Sequence, residues 1–83
     1  MSSDLPTLDA DNIAIDPSDF TAMAPFGFAD GSRFPLHIGR QTLRRWGTAG
    51  DEEKIRQAIM DRHDTLAQIA ASARKAGKTK LSI

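Results

Sequence analysis

The stretch Arg33-Phe34-Pro35-Leu36-His37-Ile38-Gly39-Arg40-Gln41-Thr42-Leu43-Arg44-Arg45-Trp46 decides how this chain folds. Its first half alternates: Phe34, Leu36 and Ile38 point one way, and Arg33, Pro35 and His37 the other, as in a half-buried strand. After Gly39 the spacing lengthens. Leu43 and Trp46 stand three apart between arginines, as on one face of a two-turn helix closed by Gly47. A strand therefore hands over to a helix through a glycine elbow, and the rest of the chain can be placed around it.

Upstream, Ala22–Phe28 and Arg33–Ile38 flank Ala29-Asp30-Gly31-Ser32, a hairpin signal. Side-chain parity selects the register. A two-residue Asp-Gly turn sets Phe26 and Phe28 on the face opposite Phe34, Leu36 and Ile38, and a small core cannot serve two apolar faces. A three-residue loop, Ala29-Asp30-Gly31 with a left-handed Gly31, pairs Phe26 with Phe34 and Ala24 with Leu36, so that the large residues share one face. The sequence predicts this bulged hairpin. Pro25 and Pro35 lack ladder donors and belong where the amide faces outward or at irregularities.

Downstream, Ile55, Ile59, Leu66, Ile69 and Ala73 fall at helical steps, widened by Ala58 and Ala70, and predict one long helix over residues 51–76. Its start is acidic (Asp51, Glu52, Glu53) and its end basic (Arg74, Lys75), both suited to the helix dipole, and Gly77 supplies the stop. Thr48 and Asp51 have capping-box spacing, and Asp51 is also a candidate cap itself. Arg62 occupies a step where Ile or Leu is expected, so its stem should cover core while the guanidinium reaches a carboxylate of the first half. Residues 79–83 alternate again and read as a last strand added to the hairpin.

Ahead of the hairpin, Ile13 and Ile15 suggest a short edge strand. Asp16-Pro17-Ser18-Asp19-Phe20 suggests a single helical turn capped by Asp16 with Pro17 at its first position; ordered loop is the alternative for both segments. Residues 1–12, acidic and interrupted by Pro6, read as a flexible tail. The expected architecture is one α+β domain over residues 13–83. In it a small antiparallel sheet, made of the hairpin, a C-terminal strand and an N-terminal edge strand, packs against one long amphipathic helix and one short helix.

The totals bound the function. A chain of 83 residues makes one domain that buries roughly 60–65% of its unfolded surface, so nearly every large apolar residue goes to packing. Hydrophobic content of 40% with 27% charged residues suits a globular domain. Without cysteine there is neither a disulfide framework nor a thiolate zinc site, and a reducing cytoplasm is the natural setting. Neither a secretory signal nor an apolar run long enough to span a bilayer is present, so the reading is cytoplasmic with no membrane partner. Net charge is zero but divided: residues 1–32 carry −6 and residues 33–83 carry +6. In a domain this small, the simplest account is that one half packs on the other.

No residue pattern specifies a reaction. Asp9-Ala10-Asp11-Asn12 resembles the start of a calcium loop, but Ala14 stands where the turn glycine belongs and Phe20 where the bidentate glutamate belongs. His63 with Asp61 or Asp64 diverges on a helix, and no i, i+4 pair of metal ligands exists. The serines lack a nucleophile motif and the glycines lack phosphate-loop spacing. The sequence predicts no catalytic residue, no cofactor and no enzyme.

The suggestive feature is a basic cluster: Arg40, Arg44 and Arg45 beside Trp46, with Arg33 and His37 on the strand leading in. These six form the candidate interaction surface. They suit phosphate contact with Trp46 stacking on a base. They suit better a plain surface in which Leu43 and Trp46 face the core while the arginines face water and balance the acidic half, because no recognised nucleic-acid motif accompanies the charges. The leading expectation is a non-enzymatic interaction or regulatory module that binds a protein partner or self-associates. The alternative is a nucleic-acid-binding module using Arg40, Arg44 and Arg45 with Arg74, Lys75, Lys78 and Lys80.

The order of elements resembles a small bacterial family, domain of unknown function 1488. The matching residues are Phe34 to Leu43, especially His37-Ile38-Gly39-Arg40-Gln41-Thr42-Leu43, the helix from Ile55 to Ala73, and the closing Leu81-Ser82-Ile83. The resemblance covers roughly Ile13 to Ile83 and implies an α+β fold. It implies no activity and carries over no site residues.

Overall fold

The alternation in residues 33–38 builds one of the two central strands of a sheet. The structure, a computed structural model, describes residues 5–16, 18–48 and 50–83. In chain order the elements are β1 (Thr7–Leu8), a 3₁₀ turn (Ala10–Asn12), β2 (Ala14–Asp16), β3 (Thr21–Gly27), β4 (Arg33–Ile38), α1 (Arg40–Arg45), α2 (Glu52–Asp61), α3 (His63–Lys75) and β5 (Leu81–Ser82). The fold is α+β, with β3 and β4 at the centre, β1 and β2 sharing the far edge of β3, and β5 beyond β4. No described helix is long and apolar enough to cross a membrane.

The hairpin takes the register that parity demands: Phe26 lies opposite Phe34 and Ala24 opposite Leu36. Gly31, at φ 90°, donates its N–H to the Phe28 carbonyl (2.9 Å), and the Phe28 N–H reaches the Ser32 carbonyl (2.8 Å). Phe26, Phe34, Leu36 and Ile38 then fill one face. They meet Leu43, Ile55, Ile59 and Leu66, with Ala67, Ala70 and Ala73 bringing the last helix close to the sheet.

Pro25 shapes the sheet's edge. The Asp9 N–H donates to the Pro25 carbonyl (2.9 Å), but Pro25 has no N–H to return to Asp9. The freed Asp9 carbonyl accepts the Asn12 N–H instead (3.1 Å), and that bond closes the 3₁₀ turn separating β1 from β2. The flexible tail expected over residues 1–12 is thus corrected for residues 7–12: Thr7 and Leu8 pair with Gly27 and Phe26, and the turn packs beside them. Residues 1–4, and Pro17 as the expected first residue of a helical turn, lie outside the described residues. The edge strand expected at residues 13–15 exists as β2, paired with β3. Residues 18–20 form a turn and not a helix. Asp16 closes β2, and its carboxylate accepts the Ser18 N–H (3.0 Å) and hydroxyl (2.6 Å).

Two further expectations are corrected. The sheet is mixed, because β5 runs parallel to β4 with Leu81 beside Leu36. Three helices lie between those strands, and a crossover of that kind returns the chain in the same direction. The single long helix is two. At Arg62, φ −107° and ψ 14° leave the helical region, and the Arg62 N–H turns to the Ile59 carbonyl (3.2 Å). Its guanidinium donates to the Ala58 carbonyl (3.3 Å), and His63 Nδ1 lies 2.8 Å from the Met60 carbonyl. Side chains thus satisfy carbonyls that a continuous helix would have satisfied with backbone. The same guanidinium stands 4.7 Å from the centre of the Trp46 ring, so Arg62 covers an aromatic face, and it makes no ion pair with a described carboxylate.

Elsewhere the caps follow the residues. Asp51 accepts from the N–H groups of Glu53 and Lys54 at the start of α2. Thr48 serves α1, its buried hydroxyl donating to the Leu43 carbonyl (3.0 Å). The chain turns out of α1 and α3 with the same bond pair: Gly47 to Arg44 and Thr48 to Leu43, then Gly77 to Arg74 and Lys78 to Ala73.

The divided charge is used internally. Arg33 pairs with Asp9 (2.9 Å), and Arg74, lying over the Phe28 ring at 4.0 Å, pairs with Asp30. The Asp30 carboxylate also accepts the Ser32 hydroxyl and N–H. The Ser32 contacts, followed by Arg74, hold Asp30 far below its ordinary 3.8. A carboxyl whose folded-state pKa is depressed contributes stability that is present above its unfolded value and lost as pH falls toward the folded one. The thermal midpoint should therefore fall as pH drops from about 4 to about 2, and Asp30→Asn should flatten that fall. Melts followed by circular dichroism at stepped pH check this; an unchanged acid slope in Asp30→Asn would remove Asp30 from the account.

Candidate functional site

The six residues of the expected surface do not form one patch. Arg33 stands at the hairpin end of β4, is exposed, and is neutralised by Asp9. Hydrogen bonds from Asn12 and then from Arg33 hold the Asp9 carboxyl below its usual range, as expected for a carboxylate kept ionised. His37 is exposed on the sheet face away from the helices, between Met23 on β3 and Ser82 on β5. Arg40, Arg44 and Arg45 lie at the other end of β4, exposed on α1, and none makes an ion pair with a described residue.

Trp46 takes its place beside the core and is half-buried, as Leu43 directs it to be. Its ring face is engaged by Arg62. It is therefore not an open platform for a base. Arg45, Trp46, Arg62 and Ile69 line a shallow cleft of about 550 Å³ on one flank of α1.

On the other flank lies a second cleft, of about 440 Å³, that sequence reasoning did not find. Leu43 and Ile55 form its floor, both buried to within 2%. Arg40 and Arg44, one helical turn apart, stand along it, and Phe20 closes the far side. Phe20 is a large aromatic left 45% exposed, and its backbone is left-handed at φ 55°. Such a conformation costs an L residue about 1–2 kcal/mol, and the position ordinarily goes to Gly or Asn. Gly50 makes the arrangement possible. At φ 76° it, too, is left-handed, and a Cβ built there would lie 3.1 Å from the Phe20 ring. No local pattern announces Phe20, which sits in the turn between β2 and β3 and meets Gly50 thirty positions later.

The cleft presents two cations, without an ion-pair partner among the described residues, beside an apolar hollow. Guanidinium groups offer planar, bidentate donors suited to carboxylates or phosphates, and the floor suits an apolar group. Its acidic neighbours, Asp51 and the exposed Glu52 and Glu53 of the first turn of α2, follow Gly50 directly in the chain. Among the described residues no three His, Cys, Asp or Glu side chains come together as metal ligands. The chain matches no family model, no curated protein and no solved structure.

Proposed function

We propose that this chain is a non-enzymatic interaction module, cytoplasmic in setting, that binds an acidic segment of a protein partner through α1. The observation that carries the proposal is the different fate of the arginines. Arg33 and Arg74 are spent on Asp9 and Asp30, whereas Arg40, Arg44 and Arg45 remain exposed without an ion-pair partner among the described residues and flank two clefts. Exposed arginines around apolar hollows suit the polar rim and apolar centre of a protein interface. Nucleic acid is the weaker reading, because Arg62 already engages the Trp46 ring on which a base would stack.

Fluorescence anisotropy separates the two. A fluorescein-labelled acidic peptide should bind the full chain, and Arg44→Ala with Arg45→Ala should weaken it by roughly tenfold, the loss of two charge-assisted contacts at a partly solvated site. Single-stranded DNA and RNA at two salt concentrations form the second arm. Oligonucleotide binding that is tighter than peptide binding and falls steeply with salt would replace this reading with the nucleic-acid one.

A further inference from the structure

The cleft between Phe20 and α1 is specific enough to say which acidic segment it takes. We infer that it is an anchor pocket for one apolar side chain flanked by carboxylates, a deeper reading that rests on the interaction module proposed above. Four observations converge on it. The floor, Leu43 and Ile55, is apolar and fixed in the core, so an entering side chain meets a preformed surface. The far wall is Phe20, kept half-exposed on a left-handed backbone that packing of the core does not require. Gly50 lies under the ring and leaves it the room it occupies. At the rim stand Arg40 and Arg44, separated along the helix by about 6 Å, close to the roughly 6.6 Å between alternate residues of an extended chain.

A segment running along α1 in extended form turns successive side chains to opposite sides, so one apolar side chain points into the hollow toward Phe20 while the residues on either side of it face α1. Carboxylates at those two positions meet Arg40 and Arg44. The volume, about 440 Å³, accommodates a side chain of leucine or phenylalanine size and lies within the roughly 300–1,000 Å³ of small-ligand sites. Arg45, directed to the other flank, lengthens the basic ridge so that further acidic residues of the same segment add to binding. A short, purely acidic segment lacks the group that fills the hollow, and a purely apolar one leaves both guanidinium groups unmatched.

The test uses the full chain and three acetylated, fluorescein-labelled peptides: a leucine centred among aspartates, the same peptide with serine for leucine, and the same with asparagine for every aspartate. The leucine–aspartate peptide should bind about tenfold more tightly than its serine analogue, the scale of burying one leucine side chain, and the asparagine analogue should bind weakest. In Phe20→Asn, whose new residue tolerates a left-handed backbone, the leucine-to-serine ratio should fall toward one while binding of acidic peptide persists. Titrating the unsubstituted chain with the leucine peptide should also shift the amide resonances of Thr48 and Gly50, a readout that needs no variant. Equal binding of the leucine and serine peptides would overturn the anchor pocket and leave the acidic-segment reading standing. Equal binding of the asparagine peptide would overturn the role given to Arg40 and Arg44. Binding of none of the three would overturn both.

Discussion

Phe26→Ala should remove about 3–5 kcal/mol of stability. The side chain is fully buried, lies opposite Phe34 in the middle of the sheet, and has Leu8 of β1 as its neighbour on the other side. Three strands therefore lose a contact at one position, and the rigid ladder around it cannot close over the void. A domain of this length has a total of roughly 4–12 kcal/mol, so the single truncation takes a large fraction of it. Urea unfolding gives the measurement: the midpoint should fall sharply with little change in slope. A loss below about 1 kcal/mol, far under the usual cost of such truncations, would mean that the sheet collapses into the space and that the core is less tightly jointed than its burial indicates.

Gly50→Val carries the second large effect, of about 3 kcal/mol. One part is backbone: φ 76° is left-handed, which costs an L residue about 1–2 kcal/mol and a β-branched one more. The other part is space, since a Cβ there would stand 3.1 Å from the Phe20 ring and two methyl groups would press further. Overpacking of this kind costs about 1–3 kcal/mol unless the ring swings away. The paired variant decides which part dominates. In Gly50→Val with Phe20→Asn the steric part disappears and the backbone part stays, so roughly half the lost stability should return, as in a double-mutant cycle between touching residues. Full additivity of the two substitutions, read from thermal or urea unfolding, would show that the ring does not rest on residue 50.

The two halves of this protein were not equally legible in its sequence. Parity in residues 22–38 settled the hairpin register, because a slip of one residue exposes every phenylalanine on the wrong face. The caps at Asp51, Gly47 and Gly77 followed from residue type. What stayed hidden depends on contacts between distant residues. Strand direction is invisible in a two-residue element such as β5, whose orientation is dictated by the helices before it. At the break, Arg62 lays its guanidinium over Trp46, sixteen positions earlier, and nothing local to residues 51–76 records that contact. The cleft was hidden for the same reason. Arg40 and Arg44 were conspicuous, but their apolar companion Phe20 belongs to a turn in the acidic half.

Pro25 has one more consequence, for how copies of this protein behave beside one another. An open sheet exposes unpaired backbone groups at both edges, and a long straight edge is a template on which another chain can pair. Here the far edge is cut by the turn that Pro25 induces into pieces of two and three residues, β1 and β2, and the opposite edge, β5, has two. Among the described residues no edge strand presents a run of paired residues longer than three. The missing amide hydrogen of a single proline thus limits the sheet's capacity to grow by addition of like chains.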